Sequence, residues 1–114
     1  AVLARLPKIL MTLRRLIADG ALIVAATDAG VGPPKPHSPL PSAVPQLVSA
    51  GMSPLDALRT VTSVAAAACG LASRKGRLAP GFDADLVVVG GDPLTDPAAL
   101  FDVRAVYLDG RLVA

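Results

Sequence analysis

Residues 22–37 read LIVAATDAGVGPPKPH. The six residues Ala21 to Ala26 are apolar without alternation, the pattern of a strand covered on both faces, as in parallel α/β sheets. The run ends on Thr27-Asp28 and passes into a loop rich in Gly and Pro. Parallel α/β folds place ligands and chemistry at the carboxyl ends of their strands, which makes Asp28 a candidate general base or metal ligand. The plainer role for the same pair is to cap the turn that follows.

Outward from this stretch the order of elements is legible. Upstream, Leu6, Ile9, Leu10, Leu13, Leu16 and Ile17 recur at three- and four-residue spacing, with Lys8, Arg14 and Arg15 on the other side. That is an amphipathic helix, stopped by Asp19-Gly20. Downstream, the loop from Thr27 to about Pro41 is long enough to be functional or mobile. A short helix is expected over Ser42 to Ala50, ended by Gly51. Ser53-Pro54-Leu55-Asp56 then opens another, because Ser caps, Pro is tolerated in the first turn and Asp complements the dipole. This second helix is expected to run through the Ala65 to Ala68 block and stop at Gly70. After Gly70 the period changes. A Gly/Pro-punctuated link leads into a strand, Asp85 to Val89, and the end forms two short strands about Asp109-Gly110, a dipeptide suited to a tight hairpin.

Composition bounds the function. With 114 residues the chain is one small domain at most and falls well short of the ~250 residues of a full eight-stranded α/β barrel. Apolar residues make up 53% and aromatics 3%, so Ala, Val and Leu must fill a globular core. A net charge of +2, from 11 Lys and Arg against 9 Asp, is too thin for a nucleic-acid face, and no aromatics interleave to stack on bases. Apolar runs are broken long before ~18 residues, so no membrane span is expected. The first residues lack a cleavage signature, which predicts a cytoplasmic protein. The single Cys69 reads as a small buried thiol.

Other residues offer chemistry with duller alternatives. His37 is the one group titrating near neutrality, suited to ligation or substrate contact, but it lies in a Pro-flanked loop with no partner at metal spacing. Gly30 and Gly32 suggest a phosphate cradle without the helix or Lys that such a cradle needs. Asp83 and Asp85 stand at a strand entrance and read as structural caps. Arg74, Lys75 and Arg77 read as a solvated turn.

Together, "TDAG", "LVSAGMSPLDALRTVTSVAAAACGL", "KGRLAPGFDADLVVVGGDP" and "AVYLDGRLV" resemble the C-terminal part of metal-dependent amidohydrolases of the imidazolonepropionase-like and prolidase-like groups. The resemblance spans nearly the whole chain. It implies an α/β fold: residues 1–70 as the last helix-strand-helix units of a TIM-type (β/α)8 barrel, and residues 71–114 as a segment of a small antiparallel β-sandwich. It further implies hydrolysis of C–N bonds in a small-molecule substrate by a water activated on a divalent metal, most often zinc. Asp28 matches the Asp that ends the last barrel strand, which binds metal and takes the proton of the attacking water. Ala26 stands where the family usually has Gly. His37 matches a loop position often held by His before Gly, but Ser38 follows here.

The family's His-x-His pair, its bridging Lys or Glu and its two further His ligands have no counterpart in this sequence. The expectation is therefore the last part of an enzyme, with this chain alone inactive and binding zinc weakly at best. Two other readings stand beside it. One is a non-catalytic α/β module that self-associates through open strand edges, giving a homo-oligomer. The other is a phosphate-binding module.

Overall fold

The computed structural model describes residues 2–30 and 40–114. Among these residues four helices come first: α1 (Val2–Ala18), α2 (Leu40–Ser49), α3 (Pro54–Val61) and α4 (Ser63–Ala68). The strands β1 (Leu86–Val89), β2 (Val103–Leu108) and β3 (Arg111–Leu112) follow, with a 3-10 turn at Pro97–Phe101 between β1 and β2.

Helix α1 ends where Asp19-Gly20 was expected to stop it. Gly20 takes φ 73°, and the Ala21 N–H donates to the Leu16 carbonyl at 3.0 Å. The last turn of α4 closes identically, with Gly70 at φ 73° and the Leu71 N–H on the Ala66 carbonyl at 2.8 Å. In both, a residue in the left-handed region lets two otherwise orphaned carbonyls find donors. At the start of α3 the Ser53 hydroxyl accepts the Asp56 N–H at 3.1 Å and donates to the Asp56 carboxylate at 2.8 Å. Pro54 fills the first helical position, where a missing N–H costs nothing.

The helix expected from Ser53 to Gly70 is two helices. It breaks at Thr62, whose φ of −125° and ψ of −96° are not helical. Thr60 and Thr62 turn their hydroxyls onto the carbonyls of Ala57 and Leu58, at 2.6 and 2.8 Å. Such back-bonding competes with the helix ladder and bends it.

The core is small. Val44 and Ala57 are fully buried and Leu47 nearly so. Leu13 and Ile17 of α1, Ile23, Ala25, Met52 and Leu100 pack around them. The helical layer is thus held by aliphatic burial, at roughly 1.5–3 kcal/mol for each large side chain removed from water.

Residues 21–26, expected as a strand covered on both faces, are extended but belong to no ladder among the described residues. The Ala25 N–H ties them to the helices, donating to the Thr60 carbonyl at 3.2 Å. Exposure alternates along the segment. Ile23 and Ala25 are half-buried against the helices, whereas Leu22 is 83% and Val24 42% exposed. A strand needs neighbours on its edges, and the described residues supply helices on one side only.

The second part is a three-stranded antiparallel sheet in the order β1-β2-β3. Leu86, Val87 and Val88 pair with Tyr107, Val106 and Ala105, and a bulge then sets Val89 opposite Val103. The β2-β3 hairpin turns on Asp109 (φ 50°) and Gly110 (φ 74°), the pair of positive angles a two-residue turn of matching twist requires. Within the described residues no helix is long and apolar enough to cross a membrane. Cys69, expected to be buried, is exposed, because it caps the end of α4 beside Gly70.

Candidate functional site

The extended segment ends on Thr27-Asp28-Ala29-Gly30, and two local features fix its shape. Asp28 adopts φ 50°, a left-handed conformation costing an ordinary residue about 1–2 kcal/mol and borne best by Gly, Asn and Asp. The Thr27 hydroxyl accepts the Ala29 N–H at 3.2 Å, closing a small ring across residue 28. Gly30, the last described residue of this stretch, also has a positive φ, 85°. The capping role expected for Thr27 is therefore real.

Thr27 is half-buried, as are Ile23 and Ala25, whereas Asp28 is exposed, as are Leu22, Val24 and Ala26. The helices cover Ile23 and Ala25. Two shallow depressions flank the segment. One, of about 400 Å³, is lined by Leu22, Val24, Val64 and Arg77. The other, of about 420 Å³, is lined by Ile17, Leu22, Met52 and Thr60. Both open at the beginning of the segment, and Asp28 lines neither.

His37 and Gly32 lie outside the described residues. Among the described residues there is no group of three or more His, Cys, Asp or Glu able to hold a metal ion.

The charged residues after α4 are organised, not merely solvated. Arg74 grips the Asp83 carboxylate through Nε and Nη2 at 3.0 and 2.8 Å. The Lys75 ammonium lies 2.9 Å from Asp83 and donates to Asp85. Asp85 in turn accepts the Asp109 N–H at 2.9 Å, and the Gly110 N–H reaches the Ala84 carbonyl at 2.9 Å. Asp83 and Asp85, read as caps at a strand entrance, thus join the link after α4 to the hairpin turn. Lys75, followed by Arg74, holds the Asp83 carboxyl below the usual carboxylate range. Lys75, followed by the Asp109 N–H, does the same for Asp85. Asp83 meets both Arg74 and Lys75 through Oδ2, and both Asp85 oxygens find partners, so the cluster reads as a clamp.

A helical layer carrying an extended segment that ends on a carboxylate, joined to an antiparallel sheet, is a mixed α/β architecture. Residues 4–114 match the Amidohydrolase family, and the chain belongs to that family. It is 46% identical over 67 residues to an adenine deaminase of Methanothermobacter thermautotrophicus, a match covering 59% of this chain and 11% of that protein. Among solved structures it is similar to a Xaa-Pro dipeptidase with methionine bound in its active site, with a TM-score of 0.86 and 31% identity over 94% of this chain. It is also similar to an amidohydrolase of Thermotoga maritima, with a TM-score of 0.68 and 35% identity over 92% of this chain. The chain spans 26% of the length of each of these two structures.

Proposed function

We propose that the chain is the C-terminal part of a hydrolase of C–N bonds, in which Asp28 is the proton-accepting carboxylate. One observation supports this reading: Asp28 is exposed at the end of a segment whose Ile23 and Ala25 pack against the helices while Leu22, Val24 and Ala26 are exposed. In a closed α/β barrel the face turned from the helices is the interior, and the carboxyl end of the strand is the mouth where chemistry occurs. On this reading residues 1–70 are the end of a (β/α)8 barrel and residues 71–114 a β-sandwich segment.

The described residues supply one carboxylate at this point and do not by themselves fit a metal centre. The divalent cation of the complete protein, zinc in the proposal, would count Asp28 among its ligands and draw the others from outside the described residues. What this chain contributes to hydrolysis is narrower. The Asp28 carboxylate accepts a proton from the water that attacks the substrate carbon, and returns it to the leaving nitrogen as the C–N bond breaks. His37 is proposed as a substrate contact. The substrate proposed is a small molecule with an amide, cyclic amide or dipeptide C–N bond, a reading supported by the similarity to an adenine deaminase and a Xaa-Pro dipeptidase. The cellular setting proposed is the cytoplasm.

The test uses the intact protein, assayed for amino-acid release from the dipeptide Met-Pro and for ammonia release from adenine. Asp28→Asn preserves shape and removes the proton acceptor. Turnover should fall by about 10²-fold or more. Asp83→Asn, within the clamp, should leave turnover of the folded protein nearly unchanged. Full activity in Asp28→Asn would overturn the assignment.

A further inference from the structure

The left-handed backbone at Asp28 has a visible support. Rotating φ from 50° to the ordinary value near −60° would swing the Cα–Cβ bond by about 110° relative to the preceding peptide. The carboxylate would leave the direction it now takes from the end of the segment. The Thr27 hydroxyl opposes that rotation, because it holds the Ala29 N–H at 3.2 Å on the far side of residue 28. Thr27 is half-buried while Asp28 is exposed. The bond is therefore partly shielded from competing water, although the carboxylate it serves is not.

We propose that Thr27 is a positioning residue for the reaction, fixing the Asp28 carboxylate in its working direction through its hydrogen bond to Ala29. The inference rests on Asp28 being the reacting carboxylate. Thr27 touches no substrate in this account. Its hydroxyl acts only through the backbone of residue 28, and the β-methyl group plays no part. The oxygen is what matters, so Ser should replace Thr, and Val, of nearly the same shape, should not.

The experiment takes the intact protein with Thr27→Val, Thr27→Ser and Asp28→Asn, and reads Met-Pro hydrolysis alongside crystal structures. Thr27→Val should lower kcat by about 10²-fold, the scale of a small misplacement of a reacting group, with KM within about twofold. Its structure should show Asp28 returned to negative φ. Thr27→Ser should keep kcat within about threefold and Asp28 left-handed. An unchanged kcat in Thr27→Val, or Asp28 still near φ 50° there, would overturn the inference, as would equal losses in Val and Ser. If Thr27→Val does not fold, hydrogen exchange at the Ala29 amide of the unaltered protein decides: protection supports the bond, and a free-amide rate overturns it. An inactive Asp28→Asn beside an unimpaired Thr27→Val overturns the role of Thr27 alone. A fully active Asp28→Asn overturns the reading on which it rests.

Discussion

Gly76 shows how much one missing side chain can decide. A Cβ there would stand 2.8 Å from the Ala66 Cβ, the Ser63 Cα and the Thr62 carbonyl oxygen at once, on a backbone at φ 85°. The link after α4 therefore runs directly against the break between α3 and α4, and only Gly fits. Gly20, also left-handed, has nothing within 4 Å of its hypothetical Cβ. Gly20→Ala should cost the strain alone, about 1 kcal/mol, whereas Gly76→Ala should cost more, about 2–4 kcal/mol, since backbone atoms cannot yield. Urea midpoints of the two variants in the intact protein check the order, and equal losses would contradict the packing argument. The sequence marked Gly20, Gly51 and Gly70 as helix stops because each follows an apolar period. Gly76 carried no such signal: its reason is a contact 10 residues away or more, which no local pattern encodes. Asp28 was legible as a carboxylate at the end of an apolar run, but its positive φ was not, since Asp tolerates either backbone region.

At the scale of elements, the clamp of Arg74, Lys75, Asp83 and Asp85 sets a pH window. Both carboxyls are held below their ordinary value of 3.8, so the folded chain binds protons there less readily than the unfolded chain. Their stabilisation is present above about pH 4 and is lost as pH falls through the lowered values. The Lys75 ammonium is held above its ordinary 10.5, so its contribution is full below that value and is lost as pH rises beyond it. The intact protein should lose melting temperature as pH falls below about 4, and Lys75→Met should lose less over the same interval. Equal slopes for the two proteins would show that the clamp contributes nothing. The hairpin at Asp109-Gly110 and the cap at Ser53 were readable from single dipeptides and tetrapeptides, because their geometry is dictated within the turn itself. The clamp was not, because its ion-pair partners are 8 to 10 residues apart across a Gly/Pro link and charge type alone does not say which partner is met. The break at Thr62 left only a faint trace, the β-branched run Thr60-Val61-Thr62.

The whole molecule presents more surface than its mass warrants. A compact chain of 11.5 kDa exposes about 5,800 Å², and this one exposes 8025 Å². Its radius of gyration, 15.1 Å, likewise exceeds the roughly 13 Å of a compact domain of this length. The excess surface is comparable with one large, permanent interface, and Leu22, Met11, Val87 and Leu112 contribute to it, each more than half exposed. Expressed alone, the chain should therefore self-associate, at roughly 25 cal/mol for each Å² of apolar surface left in water. Sedimentation showing a compact monomer with a sharp melt would contradict this. The two parts of the chain are also held by different forces, since the helices around Val44 rest on aliphatic burial and the hairpin is tied back through partly buried ion pairs. Added salt acts on these in opposite senses. In 1 M NaCl the screening length shrinks to about 3 Å, which loosens the charges, while structure-making ions such as sulfate reinforce apolar burial. The chain has one Tyr and no Trp, and Tyr107 sits in β2, so its fluorescence belongs to the salt-sensitive part while helical ellipticity belongs to the other.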